Sequence, residues 1–169
     1  MLIEPTFMRY EAAWPIQESE RTVLVPAKYV NGEILPLKRD EAAAPGVNRQ
    51  EILAQAIPAA EAVLATLKPE YVRDTNKVIE YAILQSDSPL TASAVLAPGF
   101  AKLFEETLGP DILIAIPNRN RIFIFPRLSS AYARMTDIIV AEYESSSTPV
   151  SRELFTFRNG TLTALGRYQ

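Results

Sequence analysis

Two short apolar runs, Ile112-Leu113-Ile114-Ala115-Ile116 and Ile122-Phe123-Ile124-Phe125, flank the polar knot Pro117-Asn118-Arg119-Asn120. Short apolar runs bounded by turn residues read as buried strands, so residues 109–126 are expected to form a β-hairpin inside a core. A second hairpin is expected where Asn31-Gly32 separates the β-prone runs Thr22–Val30 and Glu33–Leu37, because both turn residues tolerate positive φ. Pro26 and Pro36 lack donors and place those strands at an edge or at their ends. A third is expected where Asn159-Gly160 joins Leu154–Phe157 to Leu162–Leu165.

Between the hairpins the period changes. Asn48-Arg49-Gln50-Glu51 has capping-box spacing, and Ile52, Leu53, Ala56, Ile57, Ala60, Val63, Leu64 and Leu67 follow at helical intervals. Pro58 lies inside this pattern and predicts a kink or a break near Ile57. Lys77–Gln85 reads as a strand that is apolar on both faces, and therefore central. Ser86-Asp87-Ser88-Pro89 then opens a helix from Leu90 to Leu108, interrupted at Pro98-Gly99 and stopped by Gly109. Ser129 or Ser130 opens another, running to Glu144. Residues Leu2–Met8 are expected to form an edge strand, and Arg39–Val47 a loop.

The resulting order is β, β-β-α-β, α, β-β-α-β-β. It predicts a single α+β domain over residues 1–169, with a mostly antiparallel sheet and helices packed on it. The unit hairpin–helix–strand occurs at 22–85 and again at 111–158, which raises a structural duplication without residue-level identity between the copies.

Composition narrows the chemistry. The 169 residues include no cysteine and no histidine. Disulfides, thiolate nucleophiles, cysteine-held metals and histidine-based acid–base work are therefore excluded for this chain. No Ser-x-x-Lys motif or glycine-rich phosphate loop occurs, and no cofactor is expected. Net charge is −3, which disfavours a polyanion-binding role for the whole protein. The charge divides unevenly. Through Pro110 there are 10 Lys/Arg against 15 Asp/Glu, a balance of −5, and beyond it 7 against 5, a balance of +2. Arg119, Arg121, Arg127 and Arg134 could thus share a basic face. No secretory leader and no apolar run of membrane-spanning length is visible, so a cytoplasmic protein away from membranes is the expectation.

Candidate site residues lie at the turns. Asp87, Ser93, Asn118, Arg119, Asn120 and Arg121 could converge on one cleft and hold a small anionic ligand, or support an enzyme that needs neither His nor Cys. Each also has a structural reading: Asp87 and Ser88 as helix caps, the asparagines as turn formers. Phe123 and Phe125 fit core packing better than base stacking, and no RNP-like motif accompanies them.

Several of these pieces together resemble the YtpQ-like family of uncharacterised bacterial proteins, a domain of unknown function. Asp87 and Ala92-Ser93, then Leu113-Ile114-Ala115-Ile116-Pro117 with its return strand, and finally Leu154, Asn159-Gly160 and Leu162 carry the resemblance over about residues 77–165. Family members often bear a His and an acidic residue in the turn after the proline, where this chain has Asn118 and Asn120. They also carry an N-terminal region without a counterpart in these 169 residues. The resemblance implies a fold more than an activity. The expectation leans away from an enzyme and toward a protein-interaction or homodimerising module. The alternatives are a ligand site near Asp87, Ser93, Asn118 and Arg119, and an RNA-binding surface at Arg119, Arg121 and Arg127.

Overall fold

Hairpin Gly109–Pro126 sits at the centre of a six-stranded antiparallel sheet. The structure, a computed structural model, describes residues 1–44, 48–158 and 161–169. The chain begins with β1 (Leu2–Pro5), a single 3-10 turn at Thr6–Met8, β2 (Trp14–Pro15), β3 (Thr22–Val25), β4 (Ala27–Val30) and β5 (Glu33–Pro36). Helices α1 (Arg39–Ala42) and α2 (Arg49–Thr66) follow, then β6 (Glu70–Arg73) and β7 (Ile79–Gln85). A 3-10 helix over Thr91–Leu96 leads into α3 (Phe100–Leu108), β8 (Ile112–Asn118) and β9 (Arg121–Pro126). Helices α4 (Ala131–Arg134) and α5 (Thr136–Ser145) precede β10 (Glu153–Arg158) and β11 (Thr161–Arg167).

The main sheet runs β11-β10-β8-β9-β7-β6, every neighbouring pair antiparallel. Strands β1, β3 and β2 make a separate three-stranded sheet, and β4–β5 a two-stranded ribbon. This is the α+β fold with antiparallel sheets and packed helices that the sequence predicts.

Both faces of β8 and β9 are dry, which explains their unbroken apolar sequence. Ile112, Ile114, Ile116, Ile122 and Ile124 face a core shared with Ala60 and Leu64 of α2 and with Phe100, Phe104 and Leu108 of α3. Leu113, Ala115, Phe123 and Phe125 face a second core with Ala131 of α4 and Ile139 of α5. There Phe123 stacks near Phe125, ring centroids 6.4 Å apart, and Tyr81 tilts over Phe125 at 5.6 Å. Ile3 and Ile16 join the first core from the N-terminal sheet.

Local details follow the sequence with some differences. The Asn48 cap forms as expected: its side chain accepts from Glu51 N at 2.9 Å, and Glu51 returns a carboxylate to Asn48 N at 3.1 Å. Helix α2 continues through Pro58 rather than breaking. The carbonyl that loses its N–H partner belongs to exposed Ala54, where solvent can serve it. The helix expected from Leu90 is divided at Pro98-Gly99, and its first part is 3-10. At Gly99 the backbone N–H donates to Glu61 Oε1 of α2 at 2.7 Å. Gly109 ends α3 with φ +89°, a left-sided conformation glycine adopts without a Cβ penalty. The helix expected from Ser129 or Ser130 is divided at Met135. The expected loop over Arg39–Val47 holds the short α1. Residues Leu2–Met8 are strand only to Pro5. Strand β6 has no counterpart in the sequence reading.

Asn31 (φ 53°) and Gly32 (φ 87°) turn β4 into β5, and Asn118 pairs Arg121 across the other turn. The first hairpin stands as a separate ribbon, whereas the second forms the middle of the main sheet. The third turn, Asn159-Gly160, lies outside the described residues; its flanking strands β10 and β11 pair. No helix among the described residues is long and apolar enough to cross a membrane.

Candidate functional site

The tip of the β8–β9 hairpin projects between the end of β7 and the end of α5. A polar cleft of about 790 Å³ opens there, and Asp87, Asn118, Asn120 and Arg121 all line it. Four of the six candidate residues therefore share one cleft. Ser93 and Arg119 lie outside it. Ser93 is buried and donates its hydroxyl to Leu90 O at 2.6 Å, closing the first turn of the 3-10 helix. Arg119 turns toward the N-terminal sheet.

The cleft groups are largely committed to one another. Asn120 Nδ2 donates to Ser86 O at 3.0 Å and to Ser88 O at 3.1 Å, and Asn120 N donates to Asn118 Oδ1 at 3.0 Å. The amides thus fasten the hairpin tip to the 86–88 loop. Arg121 pairs with Glu142 of α5 and donates to Gln85 Oε1 at 2.5 Å. Gln85 in turn donates to Glu70 Oε1 at 3.0 Å, so one hydrogen-bonded row crosses from α5 to the edge strand. Glu70, Gln85 and Glu142 were invisible as site residues in sequence, because it takes the pairing of β7 with β6 and β9 and the packing of α5 on β8 to bring them together. Glu142 Oε2 is buried without a hydrogen-bond partner among the described residues.

Arg119 belongs to a buried group of a different kind. Its Nε donates to Glu4 Oε1 at 2.7 Å, its Nη2 donates to the Tyr10 hydroxyl at 3.3 Å, and that hydroxyl donates to Glu4 Oε2 at 3.0 Å. Glu4 is only 1% exposed. Burial alone would lower the Arg119 guanidinium's pKa, but the Glu4 carboxylate and Tyr10 outweigh it and leave it raised. Burial first, then Glu4, push the Tyr10 phenol up. Arg134 is likewise engaged, with Glu80. Of the four arginines considered as a basic face, only Arg127 has no carboxylate partner among the described residues.

A second internal clamp holds the start of β3, where Thr22 opposes Pro5 beside Glu4. Glu153, 5% exposed, accepts from Ser19 Oγ at 2.7 Å, Thr22 Oγ1 at 2.6 Å and Glu20 N at 3.0 Å. Hydroxyl and backbone donors serve this buried carboxylate, with no cation paired to it among the described residues.

The β4–β5 ribbon differs from these satisfied regions. Its extensive contacts are with itself: Leu37 N donates to Pro26 O at 2.8 Å and prolongs its own ladder, and the exposed Lys28–Glu41 pair links it to α1. Directly opposed residues share a face. One face carries Ala27, Tyr29, Ile34 and Pro36, and the other Lys28, Val30, Glu33 and Leu35. Tyr29 (51%), Val30 (46%) and Leu35 (46%) are exposed. A two-stranded hairpin alone is marginally stable in water, so these apolar groups lack the cover that would hold it. Comparison with known protein families, characterised proteins and solved structures finds no match to this chain.

Proposed function

We propose that the protein is a non-catalytic interaction module that self-associates through the β4–β5 ribbon. One observation carries this reading: the ribbon exposes Tyr29, Val30 and Leu35 while the polar groups at the hairpin cleft are mostly paired with each other. A second copy of the chain fits the face formed by Lys28, Val30, Glu33 and Leu35. Its two apolar residues lie on one diagonal and its two opposite charges on the other. A two-fold axis along the Val30–Leu35 diagonal sets Lys28 of one copy against Glu33 of the other, the self-complementarity an isologous dimer requires. Lys28 now pairs with Glu41 at 2.9 Å, but both side chains are exposed and such a pair is weak enough to exchange.

Multi-angle light scattering across a concentration series tests the reading. The wild-type chain should dimerise. Lys28→Glu and Glu33→Lys should each weaken the dimer, and the two together should restore it. A strict monomer at every concentration, or a double variant no better than the singles, would overturn the reading. Kinship with YtpQ-like proteins is a further proposal, supported by the placement of Asp87, Ala92-Ser93 and Leu113–Pro117 around the central hairpin. A YtpQ-like structure with a sheet order other than β11-β10-β8-β9-β7-β6 would refute it.

A further inference from the structure

A cavity of about 580 Å³ opens on the second face of the main sheet, between the α4–α5 corner and the end of β11. Its volume lies in the range of small-molecule sites, about 300–1,000 Å³. Three features set its chemistry. Leu113, Leu154 and Leu165 give it apolar walls. Arg127 and Arg167 both line it, no aspartate or glutamate side chain does, and neither arginine has an ion pair or side-chain hydrogen bond among the described residues. Tyr168, also in the wall, is 6% exposed, and its hydroxyl is buried with no hydrogen-bond partner among the described residues.

A buried hydroxyl without a partner is uncommon, because it forgoes hydrogen bonds to water and gains none. The position of Tyr168 is nevertheless fixed: its backbone N–H donates to Arg152 O at 2.8 Å, and its ring packs in the core with Leu113, Ala131 and Met135. Two arginines with no ion pair among the described residues, beside an apolar wall and a hydroxyl donor, suit a molecule with an apolar body and an anionic head. We propose that this cavity binds a small amphipathic carboxylate, with its hydrocarbon or aryl body on the leucines and its head group held by Arg127, Arg167 and the Tyr168 hydroxyl. The planar guanidinium fork suits a carboxylate's two oxygens. This proposal is independent of the ribbon, which shares no residue with the cavity.

Isothermal titration calorimetry with octanoate as probe, and octanol and octylamine as controls, decides it. Octanoate should saturate at one molecule per chain, octanol should bind at least about tenfold more weakly, and octylamine should give no heat. Arg127→Ala and Arg167→Ala lie at exposed positions, so folding should be kept while octanoate affinity falls by about tenfold each. Tyr168→Phe should weaken octanoate binding without changing octanol binding. The proposal fails if octanol binds as tightly as octanoate, if both arginine variants bind octanoate unchanged, or if no saturation occurs up to about 1 mM. The arginine variants keep the test decisive even if Tyr168→Phe does not fold.

Discussion

Arg119 and Glu4, 115 positions apart in the chain, meet at 2.7 Å with Glu4 almost wholly buried. The tip of the central hairpin is thereby tied to the first strand of the N-terminal sheet. Removing one partner of a buried pair leaves the other charged and uncompensated. Arg119→Ala should therefore destabilise the fold by about 3–5 kcal/mol, read from urea unfolding. Replacing both, as Glu4→Leu with Arg119→Leu, should cost clearly less than the sum of the single changes. Additive losses would show that the two side chains do not act as a pair.

Asn120 makes a sharper point about the turn. Its amide donates to two carbonyls, Ser86 O and Ser88 O. Asn120→Asp keeps the size but aims a carboxylate at both acceptors. It should cost more than Asn120→Ala, which should lose about 1–3 kcal/mol. Equal stability of the two variants would mean that those contacts contribute little.

For Glu153 the expectation is a loss of local order as well as stability. Its carboxylate collects donors from residues 19–22. Glu153→Ala removes the acceptor these donors share, at about 1–3 kcal/mol for each donor left with neither water nor another partner. Amide hydrogen exchange at Glu20 and Thr22 should accelerate in this variant, and unchanged protection would count against the clamp.

High pH should unfold the protein early. The phenols of Tyr10, Tyr81 and Tyr168 are all raised: burial comes first in each, with Glu4, Glu80 and Tyr132 respectively adding to it. A group whose folded pKa exceeds its unfolded value contributes stability that is complete below the unfolded value. For tyrosine that value is near 10, and the contribution is lost as pH rises through the folded pKa. Urea midpoints should fall from about pH 9 to 11. Tyr168→Phe should make that fall shallower, and an identical slope would remove Tyr168 from the cause.

Local grammar was readable in the chain; distant chemistry was not. The Asn48 cap, the Asn31-Gly32 turn and the stop at Gly109 depend on residues within a few positions of each other, so spacing alone reveals them. Strand β6 escaped because only Tyr71 and Val72 are apolar between Glu70 and Arg73, too short for any period. Of the kink or break that Pro58 suggested, the break does not occur, because the cost of proline in a helix depends on whether the orphaned carbonyl meets solvent. Convergence of Asp87, Asn118, Asn120 and Arg121 was foreseeable from turns that flank adjacent strands. The departure of Arg119 to Glu4, and the row through Gln85 to Glu70, required knowing which strands pair.

The isoleucines and phenylalanines of β8 and β9 also determine how this hairpin must close. In a sheet wet on one side, a slip of one residue is punished by polarity, since it drives charged groups inward. Here both sides are apolar, so polarity is indifferent to such a slip. Shape must discriminate instead: the slip would carry five isoleucines into a chamber fitted to Phe123 and Phe125, and those rings into one fitted to branched chains. Steric memory, rather than hydrophobicity, keeps the central strands in register.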